Sequence, residues 1–189
     1  MGTALSSGAR GAQLGISIEP VLAPHGTDSK LQEESVGAAL ERRSRDEVRF
    51  LHRRSMPLAG PSIDHIAIAP GGVWVIDARR YDGEAYVVGR GPAQQLWIGD
   101  INRTDLVDDL SDQVEAVAGI VEEICPDVRT HGALCFVDTD LPVFRTLTVR
   151  GYPLCWAKAM AKRLNVDGPV DDVWGQRLVE ELAAAFPSR

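Results

Sequence analysis

The chain has 189 residues, 44 % apolar and 25 % charged, with 20 basic against 27 acidic side chains and a net charge of −7. At roughly 150 residues per domain this is one domain with room for a tail, long enough to bury about 70 % of its unfolded surface in an ordinary core. No run approaches the ~18 consecutive apolar residues of a membrane span, residues 1–15 lack the apolar centre of a secretory signal, and three cysteines without C-x-x-C spacing indicate neither a disulfide framework nor a cysteine zinc site, so the expectation is a reduced, soluble, cytoplasmic protein.

In chain order, residues 1–28 are rich in Gly, Ala and Ser without periodicity and read as a flexible tail, leaving 29–189 as a single domain. Ser29 is a candidate cap for a helix over 30–43, where Leu31, Val36, Ala39 and Leu40 form an apolar stripe. A strand is expected over 47–53, then a break at Pro57–Pro61. Two β-runs, Ser62–Ala69 and Val73–Tyr81, flank the turn Pro70-Gly71-Gly72. Short strands follow near 84–88 and 95–99, then a long amphipathic helix over 104–124 carrying Leu106, Leu110, Val114, Val117, Ile120 and Val121. Its first half also holds an acidic run, Asp105, Asp108, Asp109, Asp112 and Glu115. Strands near 131–137 and 152–156 and helices near 157–164 and 170–186 complete the chain. The order predicts an α/β fold, antiparallel at first, with a later β-α-β return.

The hairpin carries the sharpest chemistry. If its connection is Ala69–Gly72, Ile68 faces Val73, Ile66 faces Val75 and Asp64 faces Asp77, with Arg79 on the same face. A connection one residue shorter sends the two aspartates to opposite faces; the longer one is expected here. Opposed carboxylates destabilise a strand pair unless something compensates. A hard divalent cation is one candidate, since Mg²⁺ takes carboxylate, water and phosphate oxygens. The other is Arg79, diagonal to Asp64, which neutralises the pair as a structural charge cluster.

These residues resemble a known family. Ile63-Asp64-His65, the Gly71-Gly72-Val73 turn, Val75-Ile76-Asp77-Ala78-Arg79 and Tyr81-Asp82-Gly83 look like the nuclease-related domain (NERD), a branch of the PD-(D/E)xK superfamily. The likeness runs from about Leu31 to Asp138. It implies a restriction-endonuclease-like fold with a mixed central sheet flanked by helices, and a Mg²⁺- or Mn²⁺-dependent hydrolase acting on DNA phosphodiesters. It places a helical Glu on Glu33, the second carboxylate on Asp64, the (D/E)-x-K motif on Asp77-Ala78-Arg79 and a helical Gln on Gln113. Metal ligands would be Glu33, Asp64, Asp77 and the Ala78 carbonyl. Two positions depart from the pattern: Gln32 stands for a Gly, and Arg79 for the motif lysine. Arginine pairs well with phosphate oxygens but cannot accept a proton, and the chain's lysines, Lys30, Lys158 and Lys162, lie far from the hairpin in sequence. The alternative is a non-catalytic member that keeps the scaffold to bind nucleic acid or protein, with Arg79 closing the carboxylate pocket.

Each remaining residue has a plain reading beside the functional one. Glu33 without the resemblance is a solvated helix residue, and Gln113 a structural hydrogen-bonder. His65 alternates to the face opposite Asp64 and reads as a satisfied, half-buried histidine. The arginines of 42–54 offer phosphate contacts or, with Glu41, Asp46 and Glu47, a salt-bridged surface. Trp74 and Trp97 are expected against helices, and Cys125, Cys135 and Cys155 as small buried hydrophobes.

Overall fold

The computed structural model describes residues 27–57 and 62–189, with side chains from residue 35 onward. The expected tail over 1–28 lies outside the described residues except for its last two positions, which already belong to a helix.

Helix α1 (Thr27–Arg43) leads into β1 (Arg49–Arg54), β2 (Ile63–Ala69) and β3 (Gly72–Arg80). A small region follows, with β4 (Ala85–Val88), β5 (Gln95–Ile98) and β6 (Ile101–Asn102). Helix α2 (Asp105–Ile124) then crosses to β7 (Thr130–Val137), followed by β8 (Leu147–Val149), β9 (Tyr152–Cys155), α3 (Ala157–Leu164) and α4 (Asp172–Ala185). The main sheet has strand order β1-β2-β3-β7-β9-β8, and β4-β5-β6 form a second sheet. Strands β1, β2 and β3 are antiparallel, β3, β7 and β9 are parallel, and β8 returns antiparallel to β9. The β3-α2-β7 unit is the expected β-α-β return. The chain is thus α/β, with a mixed sheet flanked by helices, consistent with a restriction-endonuclease-like fold.

Period-2 alternation sorts the sheet into two apolar faces. One carries Ile66, Ile68, Val73, Val75 and Leu134 and is covered by Leu106, Val107, Leu110 and Val117 of α2 with Leu178 and Leu182 of α4. The other carries Ala67, Ile76, Ala78, Ala133 and Cys135 under Val36 and Leu40 of α1 and Met160, Ala161 and Leu164 of α3. β2 is buried along its whole length, which is why its sequence is apolar on both sides of the pleat.

Three expectations change at the level of elements. Helix α1 begins at Thr27, so Ser29 lies inside the helix and is not its cap. β6 and β8, two and three residues long, were not expected; such lengths hold too few side chains to display a period. Trp74 packs against the α1–α3 cluster and also stacks on His131, while Trp97 stacks on Tyr86 across the small sheet. Among the described residues no helix is long and apolar enough to cross a membrane.

Candidate functional site

The site is built from the hairpin turn. Gly72 sits at φ +136°, and a Cβ there would lie 2.6 Å from the Arg129 carbonyl oxygen, so a side chain is excluded twice, by conformation and by space. Val73 N–H donates to that same oxygen at 3.0 Å, anchoring the start of β3. The turn closes with Ala69 opposite Gly72, Ile68 opposite Val73 and Ile66 opposite Val75. This is the longer connection, and it brings Asp64 to the register position of Asp77 on the face toward α2.

Both aspartates are buried, at 2 % and 0 % exposure. Arg79 bridges them. Its Nη1 lies 3.1 Å from Asp64 Oδ2 and its Nη2 2.7 Å from Asp77 Oδ1. Nη1 also donates to the Ala78 carbonyl oxygen at 3.1 Å. The Ala78 N–H donates to Asp64 Oδ2 at 2.9 Å. Three oxygens, from Asp64, Asp77 and the Ala78 backbone, therefore converge on one guanidinium. Burial first, and then the charge of Asp77, push the Asp64 carboxyl up to about 7, against the opposing pull of Arg79 and the Ala78 amide.

Gln113 projects from α2, fully buried, and its Nε2 donates to the Ser62 carbonyl oxygen at 3.2 Å. Its Oε1 is buried and accepts no hydrogen bond among the described residues. One turn earlier on the same helix face is Asp109, which in the sequence stands out only as part of the acidic run. Burial and then Asp105 raise its carboxyl, and the Arg79 charge opposes them, so Asp109 lies within electrostatic reach of the motif arginine. The i, i+4 spacing of Asp109 and Gln113 on a helix covering the hairpin is the signal that could have found it.

Glu33 belongs to α1 by backbone, but its side chain lies outside the described residues. Helix α1 packs on the sheet face opposite the one that carries Asp64 and Asp77. The structure thus brings together Asp64, Asp77, Ala78 and Arg79, with Gln113 on the covering helix. Among the described residues no group of three His, Cys, Asp or Glu side chains is arranged to hold a metal ion.

On the α1 face the polar arrangement is a histidine chain. His65 is 1 % exposed, more deeply buried than expected, and its Nδ1 lies 2.8 Å from His52 Nδ1. His52 Nε2 in turn lies 3.0 Å from Glu41 Oε1. Gly37 lets α1 approach, since a Cβ there would stand 3.1 Å from His65 Cε1. Two arginines of the 42–54 segment are salt-bridged, but to acids distant in sequence and not to the expected Glu41, Asp46 and Glu47: Arg45 pairs with Asp167 and Arg49 with Asp172.

Neither the search of curated proteins nor that of solved structures returns a match. A family model, the nuclease-related domain, matches residues 29–137, more than half of the chain and all of α2, β2, β3 and β7. The residues that set the hairpin register and the acid pair lie inside that match, and the chain belongs to the nuclease-related domain family.

Proposed function

We propose that this domain is a divalent-metal-dependent nuclease that hydrolyses DNA phosphodiester bonds, with Asp64 and Asp77 as its paired carboxylates. The observation that carries this reading is the convergence of Asp64 Oδ2, Asp77 Oδ1 and the Ala78 carbonyl oxygen on a single cationic group. Hard oxygen donors of this kind, two of them carboxylates, fit Mg²⁺ or Mn²⁺, provided that Arg79 yields the position. Analogy with the family would add Glu33, whose helix packs on the opposite face of the sheet and whose side chain lies outside the described residues. When bound, the ion polarises the phosphodiester and makes water a better nucleophile.

The chain's own residues do the rest. Asp64 must release its proton to serve as a ligand, and its elevated carboxyl ties occupancy to pH. The Ala78 N–H fixes Asp64 Oδ2 in place through a backbone hydrogen bond. Arg79, freed from the acid pair, offers a fork matched to phosphate oxygens and stabilises charge on phosphorus. It cannot act as a base, so proton acceptance falls to another group or to solvent. Asp109, within its reach, offers a second anionic partner while the acid pair is otherwise engaged.

A second reading has its own observation. Arg79 pairs simultaneously with both buried aspartates, and a guanidinium so held closes the pocket. In that case the domain is a non-catalytic binding module.

Calorimetric titration with MgCl₂ and MnCl₂, together with cleavage of single- and double-stranded DNA by wild type, Asp77→Asn and Arg79→Lys, separates the two. Metal-dependent cleavage by the wild type that disappears in Asp77→Asn supports the nuclease. Silence of the wild type with activity in Arg79→Lys identifies Arg79 as a plug. No metal binding at millimolar concentration and no cleavage by any variant overturns the nuclease reading.

A further inference from the structure

Beneath the acid pair, on the α1 face of the sheet, Cys135 of β7 and Cys155 of β9 occupy one register position on parallel strands. The row continues to β3, where Ala78 pairs with Cys135. Cys135 is fully buried and Cys155 is 4 % exposed, at the end of β9 beside the exposed Trp156. Both thiols are free, and each acts on the titration of the other across the strand pair. Cys155 also lies 3.9 Å from the Met160 thioether. None of the phosphodiester chemistry uses these sulfurs, so the reactivity of the pair is independent of that reading.

Neighbouring strands run about 4.8 Å apart, inside the span of roughly 4.4–6.8 Å between Cα atoms that a disulfide bridges. We propose that Cys135 and Cys155 form an oxidisable dithiol that closes to an intramolecular disulfide when the protein meets a hydroperoxide. Cys155 reacts first. The interaction with Cys135 and the nearby Arg163 charge together outweigh burial and draw its thiol below the ordinary range, and the thiolate is the reacting form. Its sulfur attacks the peroxide, the O–O bond breaks, and the departing oxygen takes the proton that Cys155 has released, leaving an alcohol or water. Cys155 is then a sulfenic acid. The Cys135 sulfur, at the same register position on the neighbouring strand, attacks it; the S–S bond forms, the S–O bond breaks, and hydroxide leaves with the Cys135 proton as water. In sum, two thiols and one hydroperoxide give one disulfide, one alcohol (or water) and one water. Closure ties β9 to β7 in the row that ends at Ala78, whose amide and carbonyl hold Asp64 and Arg79.

The test uses the full chain carrying Cys125→Ser, so that only the pair remains. It is treated with graded hydrogen peroxide, denatured, alkylated and analysed by intact mass and peptide mapping. The expected result is joint loss of both alkylatable thiols, a mass lower by two hydrogens, a peptide linking Cys135 to Cys155, and full reversal by dithiothreitol. In a Cys135→Ala variant the sulfenic acid on Cys155 persists and is trapped by dimedone. Two thiols that stay alkylatable at peroxide levels that oxidise Cys125 of the wild type overturn the proposal. So does oxidation of Cys155 to sulfinic acid without the linked peptide, or a linkage between two chains.

Discussion

The two ends of the β2–β3 hairpin share a face and a covering helix but do opposite work. At the turn end, Ile66, Ile68, Val73 and Val75 are fully buried hydrocarbon under α2. At the open end the same alternation delivers Asp64, Asp77 and Arg79. Burial of the apolar end fixes the register, because a slip of one residue would turn every one of those side chains to the other face. The charged end is then held where neither aspartate would settle unaided. Fold stability is thus concentrated at one end and chemical potential at the other, a few residues apart on the same strands.

The largest effect distinguishing the ends belongs to Asp77. If the nuclease reading holds, Asp77→Asn removes a metal ligand worth several kcal/mol in the transition state, and divalent-dependent cleavage falls by about 10³-fold. Circular dichroism should remain that of the wild type, because Asn is isosteric and the register rests on the turn end. Cleavage retained within tenfold would dissociate Asp77 from the chemistry.

Next is Arg79. Replacing it by Ala leaves two buried carboxylates without their bridging cation, and breaking a buried pair of this kind costs about 3 kcal/mol. Urea denaturation reads that loss directly. The loss is greater at pH 8 than at pH 5, because Asp64, with its carboxyl raised to about 7, is mostly protonated at the lower pH and no longer repels Asp77. A loss of equal size at both pH values would mean that the guanidinium acts through packing alone.

At the apolar end, Ile66→Val deletes one buried methylene and costs about 1 kcal/mol. The contrast with Arg79→Ala lies in what does not change: the affinity for Mg²⁺ or Mn²⁺ measured by calorimetry stays within twofold. A large change there would show that the two ends are not separable.

This division also explains how much the sequence reveals. The turn Pro70-Gly71-Gly72 and the period-2 geometry of the strands make the register legible, and with it the meeting of Asp64 and Asp77. Helix α2 is legible because its apolar stripe repeats over a length of 20 residues. What escapes is contact across elements. That Arg79 engages both aspartates at once depends on rotamers, and that Asp109 lies in its field depends on the rotation of α2 over the hairpin. The Glu41–His52–His65 chain joins three elements, and the Cys135–Cys155 pair joins two strands separated by β8; neither has a local pattern. β6 and β8 are set by pairing across tight turns with β5 and β9, and not by propensity.

The pH dependence is the most discriminating readout for the electrostatics of the acid pair. Asp64 in the folded protein titrates at about 7, whereas the ordinary value for an aspartate is 3.8. Between those values the folded state binds more protons than the unfolded state. Stability in divalent-free buffer therefore falls as pH rises from about 4 to about 7 and levels off above, the sign opposite to that of a salt-bridged carboxylate with a depressed pKa. Other groups titrate in the same window, so the quantity to measure is the difference between wild type and Asp64→Asn, in which this titration is absent. That difference should slope downward against pH across the window in urea-denaturation experiments. Saturating Mg²⁺ should turn the slope upward, since the ion binds only the deprotonated carboxylate and stabilises the folded state by mass action. A flat difference without metal would mean that Asp64 is already ionised in the acid range, held so by Arg79. An upward turn absent with metal would mean that the guanidinium, and not a divalent ion, is the permanent partner of the pair.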